Sequence, residues 1–253
     1  MSDQLIKANL NLYAVLKNLE DLVGCDPDTA LRVKNWRVSI VFNVLGGPKA
    51  YVEFKGGVCT VGKGRSRSPS VVLFFTSPGH LNRMMDGKAN PVPLKGFTRL
   101  GFLRNDFTKI TEKLEYYLKP TDELLKEPRY LELNTRLTLN TAAFAVEEIG
   151  RHDPIGKLAT GRAGNGAVNI KILPNGPAVH VIFLGGAVHA GRGEAENPMA
   201  LLQMKDWQVA NDFLNNRTDP FTAIASGDVI IKGQIPLLES LSSILDRIPH
   251  YLS

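Results

Sequence analysis

The chain has 253 residues, of which 43% are hydrophobic and 22% are charged, and its formal net charge is +5. This composition excludes a disordered chain, and the length allows one large domain or two of ordinary size. The mildly basic balance permits weak contact with anionic lipid or nucleic acid but requires neither.

The N-terminal residues lack the apolar segment of a signal peptide, and no apolar run approaches the ~20 residues that a membrane-spanning helix needs. Cys25 and Cys59 are far apart in the sequence and lack the spacing of a metal site. Unpaired cysteines are typical of a reducing compartment. We therefore expect a cytoplasmic protein without a cofactor or a bound metal.

The first predicted element is an amphipathic helix with Leu12, Leu16, Leu19 and Val23 on one face, ended by Asp26-Pro27. Three strands are predicted next, at 38–45, 49–55 and 58–62. Two adjacent glycines at 56 and 57 favour a tight hairpin turn between the second and third strands, because such turns need positive φ. The resulting register sets Cys59 opposite Phe54 and predicts a buried thiol.

A continuous apolar segment at 70–75 predicts a strand that is covered on both faces. A short helix with apolar Leu81, Met84 and Met85 follows it. We then predict another strand at 98–103 and a closing helix at 106–118. Strands followed by helices in this order predict an α+β unit, with a mainly antiparallel sheet and helices on one face.

The chain contains this pattern twice. Segment 47–69 aligns without a gap with segment 176–198, and the glycine pairs at 56–57 and 185–186 coincide at an offset of 129. Upstream, Asp26-Pro27 aligns with Asp153-Pro154. We therefore predict two homologous domains, 1–120 and 121–253, joined where Pro120 and Pro128 interrupt any continuous helix.

Several segments resemble a known family. The first unit has "PSVVLFF", "LNRMMDGKANP" and "KGFTRLGF", and the second has "NPMALLQM", "ANDFLNNRTDP" and "ASGDVIIKGQIPLLESLSSIL". The pattern is similar to the sterol carrier protein type 2 family of lipid-transfer proteins. The resemblance implies a binding module with an apolar tunnel rather than catalytic machinery. The first unit departs from it, with Phe102 and Leu103 where the second has Ile231 and Lys232.

The predicted function is non-enzymatic binding or transfer of a hydrophobic small molecule, such as a lipid, a fatty acyl species or a sterol-like molecule. The ligand would lie in an apolar cavity between sheet and helices, and the sequence leaves open whether one unit or both bind it. The apolar residues proposed to line the cavity are Val52, Phe54, Val61, Leu73, Phe75, Met84, Met85 and Phe102 in the first unit, and Val181, Phe183, Leu202, Met204, Phe213, Leu214 and Ile231 in the second.

Two other classes of function compete with ligand binding. In a structural or interaction protein, the two units would form a filled pseudo-dimer without ligand. An enzyme would require a polar cluster inside a pocket, and no such cluster recurs in both units, so we predict no catalytic residues. The sequence leaves the oligomeric state open.

One stretch, "GVCTVGKG" at 57–64, has the spelling of a phosphate-binding loop. It includes a predicted strand, however, and no helix start follows, so we interpret it as a hairpin and predict no nucleotide or nucleic-acid site. The basic run of Lys63, Arg65 and Arg67 could contact an anionic membrane surface transiently, or form a solvated turn. Two histidines, His180 and His189, share a strand face without a third ligand and make a poor metal site.

Overall fold

The computed structural model describes residues 2–252. Backbone contacts divide the chain into two compact units, 1–119 and 120–253. Each unit has one five-stranded sheet with helices, so the fold class is α+β as the sequence predicts.

The first unit opens with a long helical stretch and closes with another. Its elements, in chain order, are α1 (Asp3–Leu10), a π turn (Asn11–Val15), a 3-10 turn (Leu16–Asn18), α2 (Leu19–Cys25), α3 (Pro27–Val33), β1 (Arg37–Val44), β2 (Lys49–Lys55), β3 (Val58–Lys63), β4 (Val71–Phe75), α4 (Pro78–Met85), β5 (Val92–Lys95), a 3-10 turn (Phe97–Arg99), α5 (Leu100–Phe102), a π turn (Leu103–Phe107) and α6 (Thr108–Leu118).

The second unit repeats this order with one more helix before its last strand. Its elements are a 3-10 turn (Leu124–Lys126), α7 (Pro128–His152), α8 (Pro154–Arg162), β6 (Gly166–Ile172), β7 (Ala178–Leu184), β8 (Ala187–Arg192), β9 (Ala200–Met204), α9 (Trp207–Leu214), α10 (Pro220–Ala225), β10 (Val229–Gly233), α11 (Ile235–Leu245) and α12 (Ile248–Leu252).

Both sheets have the same topology. The strand orders are β3-β2-β1-β4-β5 and β8-β7-β6-β9-β10. In each sheet one pair is parallel, β1 with β4 and β6 with β9, and the other three pairs are antiparallel. The same mixed sheet therefore occurs in both halves of the chain.

The hairpin turns form as predicted. Gly56 and Gly57 have φ of 61° and 81°, and Gly185 and Gly186 have φ of 58° and 76°. Positive φ at both central positions is the geometry that a two-residue primed turn demands. The register that follows pairs Phe54 with Cys59, which confirms the predicted pairing and excludes a phosphate loop at this position.

Two predictions about the strands were wrong. The segment 98–103 is helical, and the fifth strand is β5, which pairs with β4. Gly96, directly after β5, has φ of 89°, and a Cβ there would lie 2.6 Å from the Ser70 carbonyl oxygen. Gly233, the last residue of β10, has φ of 108°, and a Cβ there would clash in the same way with the carbonyl oxygen of Met199. These glycines show that Val92–Lys95 is the counterpart of Val229–Gly233.

The prediction that 70–75 is covered on both faces also needs correction. In β4 the alternate residues Val71, Leu73 and Phe75 are buried, whereas Val72 and Phe74 are half-buried. One face of the strand is therefore fully covered and the other only partly.

A buried aspartate connects the start of α3 or α8 to the closing helix of the same unit. In the second unit, Asp153 accepts hydrogen bonds from the Gly156 amide at 2.8 Å and the Tyr251 hydroxyl at 2.6 Å, and Arg247 lies at 3.2 Å. Burial by itself would raise the pKa of Asp153, but these donors together lower it below its ordinary value. The carboxylate thus stays ionised and connects the start of α8 to Arg247 and to Tyr251 of α12.

The first unit has the same connection with different partners. Asp26 accepts from the Thr29 amide at 2.8 Å and forms a salt bridge to Lys113 at 2.7 Å, while the Tyr117 hydroxyl is more distant at 3.5 Å. Burial opposes ionisation here too, and the hydrogen bonds from Lys113 and Thr29 overcome it, so the pKa of Asp26 is lowered.

Candidate functional site

The helix-facing side of each sheet is a continuous apolar surface. In the first unit the register places Val52 beside both Ile40 and Val61, and Leu73 beside Phe42. Directly paired residues lie on the same face of a sheet, so the predicted strand residues of this unit share one face. These strand residues are Val52, Phe54, Val61, Leu73 and Phe75, and all five are buried.

The second sheet repeats this face. Its predicted strand residues Val181, Phe183, Leu202 and Met204 are also buried. Ile231 pairs with Leu202 and so belongs to the same face, but it lies on the edge strand and is 38% exposed. Val188 of this face touches α7, where a Cβ on Gly150 would lie within 2.4 Å of it.

The helix residues that the sequence predicts to line the cavity lie at the edge of the buried apolar layer between sheet and helices. Met84 and Met85 occupy the end of α4, and Phe213 and Leu214 occupy the end of α9 at the same offset of 129 as the repeat. All four side chains are half-buried. The ends of α4 and α9 therefore present a pair of large apolar side chains in each unit.

An aromatic cluster in the first unit was missed in the sequence. The Trp36 ring lies edge-on to Phe54 and Phe102 with centroid separations of 5.1 and 4.7 Å, and Phe54 lies edge-on to Phe107 at 6.3 Å. Trp36 and Phe102 are half-buried. The signal that could have revealed the cluster is the tryptophan placed immediately before the first strand.

Exposed apolar residues concentrate around the fifth strand of each sheet. Of the 15 large hydrophobic residues that are exposed in the described part of the chain, eight lie in or beside β5 or β10. These eight residues are Val92, Leu94 and Phe97 in the first unit, and Met199, Phe221, Ile224, Ile231 and Ile235 in the second.

A polar cleft of about 440 Å³ lies between α3 and α6. Charged side chains contribute much of its lining, among them Asp28, Arg32, Lys109 and Glu112. None of the predicted cavity residues lines this cleft, so it is a feature separate from the apolar layer.

The remaining reactive side chains are held in structural roles. Burial raises the pKa of the Cys59 thiol well above its ordinary value, so the thiol stays protonated. The His180 ring covers Gly191, leaving no space for a Cβ there, and its Nδ1 lies 3.1 Å from the Gly193 carbonyl oxygen. Within residues 2–252, no three His, Cys, Asp or Glu side chains are grouped to hold a metal ion.

The predicted basic run is only partly free to face a membrane. Lys63 Nζ lies over the Tyr13 ring, 4.9 Å from its centroid, while Arg65 and Arg67 follow in the exposed loop after β3. Among residues 2–252, the helices are too short or too polar to span a bilayer.

No protein-family model and no curated protein matches the chain. Similar solved structures include sterol carrier domains. They include UbiJ-SCP2, a ubiquinone synthesis protein, at 14% identity over 42% of this chain and 92% of its own, with a TM-score of 0.32. The sterol carrier protein domain 2 of Helicoverpa armigera is 17% identical over 44% and 87% of the two chains, with a TM-score of 0.33. Sterol carrier protein 2 from Yarrowia lipolytica is 13% identical over 43% and 90%, with a TM-score of 0.34.

Proposed function

We propose that this protein binds a hydrophobic small molecule, such as a lipid, a fatty acyl chain or a sterol-like molecule, and transfers it without chemical change. The ligand would be held between the helix-facing side of a sheet and the helices that cover it. The proposal involves no catalytic step, and the protonated Cys59 thiol offers no nucleophile. Because Cys25 and Cys59 are both free, we also propose that the protein acts in the reducing cytoplasm.

The observation that carries the proposal is the recurrence of apolar side chains at the border of the buried layer. Both units place two large, half-buried apolar residues at the end of the helix that follows the fourth strand, at positions 84–85 and 213–214. Both units also expose apolar side chains beside the fifth strand. In the second unit the exposed Ile231 pairs with the buried Leu202 and shares its face, and exposed apolar surface next to a continuous apolar face is typical of a route by which a hydrophobic ligand enters.

The energies are adequate for such a ligand. Each buried methylene contributes about 0.8 kcal/mol, so an acyl chain of about ten buried methylenes gains about 8 kcal/mol before the cost of ordering. Met84 and Met85 suit this task, because unbranched, polarisable side chains adapt to ligands of different shape. Affinity in the micromolar range needs about 8 kcal/mol net, so long chains would be preferred to short ones.

The test is uptake of a fluorescent fatty acid by the full chain, combined with native mass spectrometry of the purified protein. We expect saturable uptake by the wild-type protein. The double variant Met84→Gln, Met85→Gln should weaken the affinity of the first unit at least about tenfold, because an amide in the lining must lose its hydration. The double variant Phe213→Gln, Leu214→Gln should do the same in the second unit. Leu31→Gln, on the 72% exposed side chain of α3, is the control.

Each outcome of this experiment has a consequence. If the folded wild-type protein neither retains nor takes up an apolar ligand, the binding proposal is wrong, and the filled pseudo-dimer without ligand becomes the better explanation. If uptake is normal in both double variants, the helix-end residues do not line the site. Circular dichroism of every variant separates these results from loss of folding.

A further inference from the structure

One segment of the first unit combines exposed apolar side chains with exposed cations. We call residues 92–104, which comprise β5, the turn after it and the start of the closing helices, the basic edge. Val92, Leu94 and Phe97 are 44%, 54% and 65% exposed. Lys95, Arg99 and Arg104 are also exposed, and the segment contains no acidic residue, so its net charge is +3.

The local backbone accounts for this exposure. Pro93 pairs with Leu73 and Lys95 pairs with Val72, which leaves Leu94 as the extra residue of a β-bulge on the outermost strand of the sheet. Gly96 then reverses the chain with φ of 89°, and Phe97 begins the next turn. Leu94 and Phe97 therefore lie three residues apart on either side of a sharp turn at the edge of the unit.

The three cations have no ion-pair partner among residues 2–252. Asp86, the nearest acidic residue before the segment, pairs with Lys7 at 3.6 Å. Lys95, Arg99 and Arg104 form none of the salt bridges of the described chain. Lys113 of α6, by contrast, forms a salt bridge with Asp26. The charge of the basic edge is thus not used to hold the fold together.

The second unit provides an internal comparison. When Gly96 is aligned with Gly233, residues 92–104 correspond to 229–241. That segment keeps exposed apolar side chains, including Ile231 and Ile235, but its one lysine and one glutamate give it a net charge of zero. The apolar character is therefore shared by both units, and the positive charge belongs to the first alone.

We propose that the basic edge docks the protein onto an anionic lipid bilayer, with Leu94 and Phe97 inserted among the headgroups and Lys95, Arg99 and Arg104 paired with lipid phosphates. Aromatic and aliphatic side chains flanked by Lys and Arg are suited to the interface, where apolar insertion and electrostatic attraction add. A second chain of this protein is a poorer occupant, because two copies of a +3 segment repel each other. Docking does not depend on uptake of a ligand into either unit.

The experiment is cosedimentation of the full chain with phosphatidylcholine vesicles that contain either no anionic lipid or about 30% phosphatidylserine, at about 0.1 M salt, where charges are screened beyond ~10 Å. We expect binding only to the anionic vesicles and its loss at high salt. The triple variant Lys95→Gln, Arg99→Gln, Arg104→Gln should bind on the order of 100-fold more weakly, since each cation near a charged leaflet is worth about fivefold.

Matched controls locate the effect. The triple variant Lys63→Gln, Arg65→Gln, Arg67→Gln removes the same charge from the loop after β3 and should keep most of the binding. Leu94→Ser with Phe97→Ser should weaken binding at unchanged charge, whereas Ile231→Ser with Ile235→Ser in the second unit should not.

Three outcomes would overturn the proposal. The first is no binding of the wild-type protein to anionic vesicles. The second is an equal loss of vesicle binding in the triple variants of residues 95, 99, 104 and of residues 63, 65, 67. The third is tight binding to a nucleic acid that the variant of residues 95, 99 and 104 abolishes while its vesicle binding persists. Fatty acid uptake in vesicle-free solution is measured in parallel. It should be unchanged in the charge triple, so failure of docking is distinguishable from failure of ligand binding.

Discussion

The two units share a topology but differ in how it is filled and charged. Both have the same strand order, the same paired turn glycines and an equivalent buried aspartate, which lies just before α3 in the first unit and α8 in the second. The first unit has the Trp36 cluster and the basic edge, whereas the second adds α10. The repeated features are those that the fold requires, and the differing features are where the two units are free to take separate roles.

The largest expected effect tests the aromatic cluster. Phe54 and Phe183 are equivalent and both fully buried, so Phe→Ala should cost about 3–5 kcal/mol at either position through lost burial and a cavity. Phe54 also packs edge-on against two rings, and no ring contact of Phe183 is found in the described chain. We therefore expect Phe54→Ala to cost at least ~1 kcal/mol more than Phe183→Ala.

Each unit contains one tryptophan, which allows the two losses to be measured separately. Urea denaturation can be followed by Trp36 fluorescence in a Trp207→Phe background for the first unit, and by Trp207 in a Trp36→Phe background for the second. A loss at Phe183 that equals or exceeds the loss at Phe54 would show that the ring contacts add nothing to stability.

The second prediction compares the buried aspartates. Asp153→Asn should cost about 2–4 kcal/mol, because the Tyr251 hydroxyl and the Arg247 guanidinium lose a charged acceptor. Asp26→Asn should cost less, since Tyr117 is 3.5 Å away and Lys113 keeps Asp28 as a partner at 3.2 Å. Both values come from denaturant midpoints at neutral pH, and a larger loss at Asp26 would contradict the comparison.

The same pair predicts a pH dependence. The pKa values of Asp26 and Asp153 are lowered in the folded protein from the ordinary value of 3.8. Their contribution to the free energy of unfolding is therefore fully present above pH 3.8 and is lost as the pH falls through the lower folded-state pKa. The difference between wild type and Asp153→Asn should shrink in acid below that pH. A difference that stays constant down to strongly acidic pH would show that the charge of Asp153 is not what stabilises the fold.

The repeat explains both what the sequence predicted well and where it failed. Glycine pairs require one specific backbone geometry, so the hairpins and their registers could be predicted from the printed residues. The fifth strand of the first unit was missed because Pro93 breaks its strand pattern and the apolar segment 98–103 looked more regular. The alignment that finds it depends on Gly96 and Gly233, each of which closely approaches the backbone just before the neighbouring strand of its sheet.

The candidate site could be predicted only in part for a related reason. Alternation along a strand indicates which residues share a face, and the strand residues of the predicted cavity do share one. Whether a side chain at the edge of the buried apolar layer is exposed depends on where the neighbouring helix ends against the sheet. No local sequence pattern specifies that position. The half-buried state of Met84 and Phe213, and the exposure of Phe97, therefore appeared only with the fold.

The smallest expected effect concerns how each unit protects its edge strand, β3 in the first unit and β8 in the second, with side chains from the adjacent helix. In the first unit, Glu20 accepts the Val61 amide at 2.6 Å and Lys17 donates to the Val61 carbonyl at 2.7 Å, so two side chains replace a missing neighbouring strand. In the second unit, Glu147 accepts the Ala190 amide at 3.1 Å. We expect Glu20→Gln to cost about 1 kcal/mol and Glu147→Gln about 0.5 kcal/mol, because the bond to a charged acceptor is shorter and stronger in the first unit.

Amide hydrogen exchange measures this effect residue by residue. Protection of the Val61 amide should fall about fivefold in Glu20→Gln, and protection of the Ala190 amide should fall only about twofold in Glu147→Gln. Each variant is the control for the other, since the altered helix and strand belong to one unit. If the two amides lose protection equally, the lysine–glutamate pair of the first unit gives its edge strand no advantage, and the two units protect their edges equally well despite their different side chains.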